Sequence, residues 1–208
     1  MLAGDVTANI VRGNLVIRGD KLDNGITITA GTNAGDVVVT GVDAGGSATN
    51  VNGVSNTAVT LSGFTGRLKI NMKSGNDSVS ITGLTVTGNS KLAGKKGNDT
   101  FTISGTTFSG ALNVGLGRGT DSLSMTNVTV IGKTKINSHK DADSVTIATS
   151  TFSTLGLSMG GGDDSLSISG TTVSKRTKLK GGRGINTFTD GGGNSLADLA
   201  LIHFDTTT

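Results

Sequence analysis

Apolar residues alternate with serine, threonine and other small polar residues along most of this chain, and the alternation returns at a fixed interval. The segment Gly75-Asn76-Asp77-Ser78-Val79-Ser80-Ile81 reappears as Gly97-Asn98-Asp99-Thr100-Phe101-Thr102-Ile103, then as Gly119-Thr120-Asp121-Ser122-Leu123-Ser124-Met125. Later copies centre on Asp143, Asp164 and Asn186, so the steps are 22, 22, 22, 21 and 22 residues. Each repeat holds a second apolar position (Val86, Phe108, Val130, Phe152, Val173) and a third (Leu92, Val114, Ile136, Leu157, Leu179). A period of two marks strands with one face buried. Three such segments per repeat describe one coil of a β-helix, which cannot bury its apolar face alone and must stack on its neighbours as parallel strands. Right-handed winding is the default for such connections. The expectation is an all-β fold: a single right-handed parallel β-helix, a three-sided solenoid with about 22 residues per coil.

The pattern divides one domain, residues 1–208, into three parts: irregular N-terminal coils over 12–54, regular 22-residue coils over 55–190, and a cap and tail over 191–208. Leu15 with Ile17, Ile26 with Ile28, and Val37 with Val39 predict early strands, and Leu61, Phe64, Leu68 and Ile70 fit the coil before Asp77. Asp43 to Asn52, rich in Gly, Ala and Asn, predicts a surface loop. Beyond Gly191-Gly192-Gly193, the string Ser195-Leu196-Ala197-Asp198 has the form of a capping box. It predicts a short C-terminal helical cap with Leu196, Leu199 and Phe204 on one face, while Val6 to Val11 caps the other end. Covered ends keep a solenoid from pairing edge to edge.

Composition narrows the chemistry. The chain has 34 Gly, 6 Phe and no Pro, Cys, Trp or Tyr, with a net charge of +3. Without cysteine there is no disulfide, thiolate zinc site or thiol nucleophile. No apolar run reaches 18 residues, so no membrane-spanning helix is expected. Met1-Leu2-Ala3-Gly4-Asp5 lacks the basic and apolar regions of a signal peptide. The two histidines, His139 and His203, stand far apart with no metal- or triad-like spacing. With no insertion to build a cleft over the regular coils, the chain reads as no enzyme, with no catalytic residue.

Three columns run along the solenoid on what reads as its outer surface. The acidic one is Asp77, Asp99, Asp121, Asp143 and Asp164, expected to cap backbone N–H groups at corners, with Lys73, Lys95, Lys96, Arg118 and Lys140 three or four residues earlier to offset its charge. Asp163 and Asp164 have glycines before them instead, which makes them the place where calcium would be sought; otherwise no metal and no cofactor is expected. The basic column is Lys69, Lys91, Lys135 and Lys178, interrupted by Asn113 and Gly156, with Arg67, Lys133 and Arg176 two residues before three of these lysines. It is the candidate ligand-binding stripe, and its ligand would be an anionic polysaccharide or another cell-envelope component. Nucleic acid is not expected, because stacking aromatics are missing. The third column is Thr85, Thr107, Thr129, Thr151 and Thr172.

The corners Gly117-Arg118-Gly119-Thr120-Asp121 and Gly160-Gly161-Gly162-Asp163-Asp164 resemble haemolysin-type (RTX) calcium repeats, whose own period is about nine residues. Over roughly residues 12–189 the pattern resembles the β-helical repeats of bacterial secreted and cell-surface proteins. That resemblance implies a secreted or cell-surface location and a structural or adhesive role. Further likenesses imply other readings: the RTX one a calcium-binding module, the β-helix a polysaccharide-lyase-like enzyme, and the threonine column an ice-binding protein.

Overall fold

A computed structural model describes residues 4–55 and 57–207; Met1, Leu2 and Ala3 of the leader reading lie outside them. The chain is a parallel β-solenoid of about six turns with coils of about 22 residues. Its strands form a 14-stranded and a 10-stranded sheet.

Both sheets follow from the repeat. In the 10-stranded sheet Ser78–Thr82, Thr100–Ser104, Ser122–Thr126, Ser144–Ala148 and Ser165–Ser169 pair in parallel, residue on equivalent residue. Val79 and Ile81 and their counterparts point inward and are buried, while Ser80, Thr102, Ser124, Thr146 and Ser167 face outward. In the 14-stranded sheet Leu68–Ser74, Ser90–Lys96, Leu112–Arg118, Thr129–Lys140, Thr151–Gly161 and Thr172–Arg183 pair likewise. One continuous core lies between the sheets, with Phe101, Phe108 and Phe152 among its largest fully buried side chains.

The second and third apolar segments of the repeat share a sheet. Early on, the second segment is a separate two-residue strand, Thr85–Val86 and Thr107–Phe108. From Thr129 it runs on into the third, with a register irregularity between Val130 and Lys133 and another between Phe152 and Thr154. The chain bends there without a left-handed residue, since Gly88, Gly110 and Gly132 are absent from the positive-φ set. Glycine serves this corner for another reason. A Cβ on Gly110 would lie 2.6 Å from the Gly88 carbonyl carbon, so the coils touch backbone to backbone.

The ends differ from the sequence expectation. Among the described residues there is no helix. Ser195–Leu196 and Leu199–Ile202 instead pair in parallel with Thr172–Arg183, and Leu199 and Leu201 stand 22 residues after their partners Thr177 and Leu179. The tail is a further coil, because the open edge of the preceding coil offers unpaired backbone groups in register and Asp198 takes a left-handed φ of 46° that a helix would not accept. Phe204 closes against Phe188 with ring centroids 5.8 Å apart.

At the other end, Gly4–Val11 is a strand antiparallel to Asn14–Arg18, with Val6 and Ala8 buried. Leu15 pairs with Leu68 and Gly25 with Ser78, each 53 positions away, so this coil holds 31 residues more than the repeat. Much of the excess lies in antiparallel strands, Val37–Val42 against Gly25–Ala30 and Ala58–Leu61 against Val37–Val42. The expected loop from Asp43 to Asn52 contains the strand Thr49–Val51, and the buried Thr49 hydroxyl oxygen accepts the Gly25 N–H at 2.8 Å. Hydroxyl and amide side chains there hide backbone groups that glycine-rich composition alone suggested were solvated.

Candidate functional site

The basic column stands in register. Lys69 pairs with Lys91, Lys91 with Asn113, Asn113 with Lys135, Lys135 with Gly156 and Gly156 with Lys178. Lys69, Lys91 and Lys135 are exposed and Lys178 is half-buried. Neighbouring coils lie about 4.8 Å apart, so the column is a linear array of ammonium groups.

The array belongs to a wider basic face that the four lysines only hint at. The six strands from Leu68–Ser74 to Thr172–Arg183 carry 14 of the chain's 18 Lys and Arg residues and not one of its acidic residues. Arg67 adds a fifteenth just before the first of them. The opposite sheet's five central strands, from Ser78–Thr82 to Ser165–Ser169, contain no charged residue. A modest net charge therefore conceals a strong segregation, and column-by-column reading of the sequence understates it.

Small residues hollow the middle of this face. Asn113, Gly115 and Gly117 on Leu112–Arg118 form the floor of an open groove of about 1130 Å³, walled by lysines from the coils on either side, including Lys91, Lys95, Lys96, Lys135 and Lys140. A side chain added at Gly115 would meet only the His139 Nε2, 3.6 Å away. A second hollow of about 460 Å³ continues along the face between Lys133, Lys135, Arg176, Lys178 and Lys180. Lys135 belongs to both, so the two form one track.

Three residues on the wall hold unfavourable backbone conformations. Lys73, Lys95 and His139 take φ of 77°, 95° and 85° at the corner where other coils have Gly117, Gly160 and Gly182. Such a conformation costs a residue with a Cβ of order 1 kcal/mol or more, which glycine avoids. The corner conformation is common to all six coils, with Lys73, Lys95 and His139 adopting it where the others have glycine.

The acidic column is buried, which corrects the expectation that it faces outward. Asp77, Asp99, Asp121, Asp143 and Asp164 are only 1–3% exposed. The alternation that turns Val79 and Ile81 inward, carried back one step, turns Asp77 inward as well. The capping role takes a specific form: Oδ1 of each aspartate accepts the backbone N–H of the equivalent residue one coil earlier. Asp77 N–H donates to Asp99 at 2.9 Å, Asp99 to Asp121 at 2.7 Å, Asp121 to Asp143 at 2.9 Å and Asp143 to Asp164 at 2.8 Å. The lysines and arginines expected to offset these charges point to solvent. Among the described residues the ion pair found is Arg176 with Asp198, at 3.6 Å.

Asp163 and Asp164 do not converge. Asp164 is a buried member of the ladder, whereas Asp163 is exposed and accepts the Ile185 N–H at 2.8 Å. No group of three or more His, Cys, Asp or Glu with metal-ligating geometry occurs among the described residues. His139 sits on the basic face and His203 in the last coil. Thr85, Thr107, Thr129, Thr151 and Thr172 do form an in-register column, but Ile131, 61% exposed, breaks the neighbouring series Thr87, Ser109, Ser153 and Ser174. Among the described residues no helix is long and apolar enough to cross a membrane.

The class these features define is a β-solenoid with one basic and one uncharged hydroxyl face. Comparison with known protein families, with curated proteins and with solved structures found no match.

Proposed function

We propose that this chain is a non-catalytic structural or adhesive β-solenoid of the secreted or cell-surface kind, and that its basic face holds a linear anionic polysaccharide. The observation that carries the reading is the segregation of 15 of 18 cations onto one face whose strands contain no acid. A uronan carries its carboxylates at regular intervals along the polymer, so one chain lying along the solenoid axis can reach Lys69, Lys91, Lys135 and Lys178 on four of the six coils. The open track suits a polymer lying along it better than a small molecule, which would be enclosed. Bases of single-stranded nucleic acid would find no tyrosine or tryptophan to stack on.

A binding panel at low salt tests this. Polygalacturonate is expected to bind, while dextran, a neutral polymer of similar length, is not. Equal retention of both, or preference for duplex DNA over the uronan, would overturn the assignment.

A further inference from the structure

The aspartate ladder has a second half that its hydrogen bonds to backbone do not use. Oδ2 of Asp77, Asp99, Asp121, Asp143 and Asp164 is in each case buried without a hydrogen-bond partner. A buried ionised oxygen left in that state is strongly disfavoured. The two asparagines in the same column show what the position wants. Asn24, before Asp77, donates Nδ2–H to the Leu22 carbonyl at 2.6 Å, and Asn186, after Asp164, donates to the Gly184 carbonyl at 3.2 Å. Each donates to the carbonyl two residues earlier in its own chain, and each occupies the ladder in the same register as the aspartates, through Asn24 N–H to Asp77 at 2.9 Å and Asp164 N–H to Asn186 at 3.3 Å.

We propose that the five aspartates are carried as neutral acids, each Oδ2–H donated to the carbonyl two residues earlier, so that a column of protons locks successive coils together and releases them as it ionises. The carbonyls in question are those of Gly75, Gly97, Gly119, Asp141 and Gly162. An Asp in this form makes the same pair of bonds as Asn186: it accepts through Oδ1 and donates through the other atom.

The electrostatic surroundings agree. Burial, the largest cause, pushes Asp77, Asp99 and Asp143 up to about 7 and Asp121 up to about 6, and raises Asp164 as well. The charged groups acting on them are all acidic: Asp20 and Asp23 beside Asp77, Asp23 also on Asp99, Asp141 by Asp121, Asp163 by Asp164, and the ladder members on one another. Ser138 lies against Asp143. The basic residues of the same corners, Lys73, Lys95, Lys96, Arg118 and Lys140 with His139, are turned outward, and among the described residues none forms an ion pair with a ladder aspartate. With the five neutral, ten aspartates remain against 18 cations and the net charge becomes +8.

The sign of the pH dependence follows. A carboxyl whose folded value lies above its unfolded one contributes stability that is complete below the unfolded value, near 3.8, and that is lost as pH rises through about 6 to 7. The solenoid is therefore most stable in mild acid.

The test is a set of thermal melts by circular dichroism from pH 4 to pH 8, with chelator present, on the wild-type chain and on Asp99→Asn and Asp121→Asn. Wild type is expected to lose roughly 10 °C or more of melting temperature across that range. Each Asn variant is expected to melt above wild type at pH 8 and close to it at pH 4. A wild-type melting temperature that rises toward pH 8 would overturn the proposal. So would Asn variants that melt below wild type at pH 8, the behaviour of an ionised or metal-bound ladder. Carboxyl carbon shifts of the wild-type chain, followed by NMR over the same range, give an independent reading. Five carboxyls still neutral at pH 5 agree with the proposal, and five ionised at pH 5 contradict it.

Discussion

Replacing Lys91 and Lys135 together by glutamate is expected to weaken binding of a linear uronan by about a hundredfold at low salt, with the fold intact. Both side chains are exposed, in register on the two sides of Asn113, and both wall the central groove. A unit charge pair at contact distance is worth about 1 kcal/mol in water, so each reversal exchanges an attraction for a repulsion of like size. Screening reduces the sum to roughly 3 kcal/mol, about two decades in affinity. The matched control is four glutamates on the hydroxyl sheet, at Thr100, Thr102, Ser144 and Thr146, all exposed. They change the net charge by the same amount on the opposite face, and the expected loss is under about threefold. Isothermal titration with polygalacturonate reads both. If the two variants lose affinity equally, net charge governs binding and the basic face is not the site.

The second large effect is on stability. Phe108→Ala is expected to cost about 3–5 kcal/mol, because Phe108 is fully buried and a phenyl-sized void opens between coils. Its strand partners are Val86 and Val130, both β-branched and stiff at χ1, so neither can swing in to fill the void. In a solenoid each coil contacts only its neighbours, so the defect lands on two interfaces of the stack rather than being shared by the whole core. A fall of about 10 °C in melting temperature follows. Ile131→Ala, at a residue 61% exposed in the next coil, should change it by less than about 2 °C. A small effect at Phe108 would mean that the coils do not stack in the register described.

Most of the architecture was legible because the repeat states it many times over. Strand pairing is equivalent residue on equivalent residue, so the spacing of Asp77, Asp99 and Asp121 is also the hydrogen-bonding register. Where the chain leaves the repeat, local pattern no longer decides the structure. Leu199-Ala200-Leu201-Ile202 is too short for periodicity to tell helix from strand, and the open edge of the preceding coil decides in favour of strand. The 31 extra residues of the first coil pair with one another antiparallel, a choice set by which edges are free rather than by any local pattern.

The candidate site was visible only in outline. Lys69, Lys91, Lys135 and Lys178 are one column of a face that includes Lys95, Lys96, Lys140 and Lys180 at other positions of the same strands. That face becomes plain only once the strands are laid side by side. A charged residue at a strand entry, two positions after a glycine in four of the five repeats, suggests a solvated turn, although the period-two alternation from Ile81 through Val79 to Asp77 points inward.

If the basic face acts as a polyelectrolyte site, the dependence of uronan affinity on ionic strength shows it most directly. Neutralising about four charges releases condensed counterions, so the logarithm of affinity should fall linearly with the logarithm of salt concentration, losing about tenfold to a hundredfold between 50 and 200 mM sodium chloride. An affinity that is unchanged over that interval, or no binding at 50 mM, would contradict a polyelectrolyte role for the basic face.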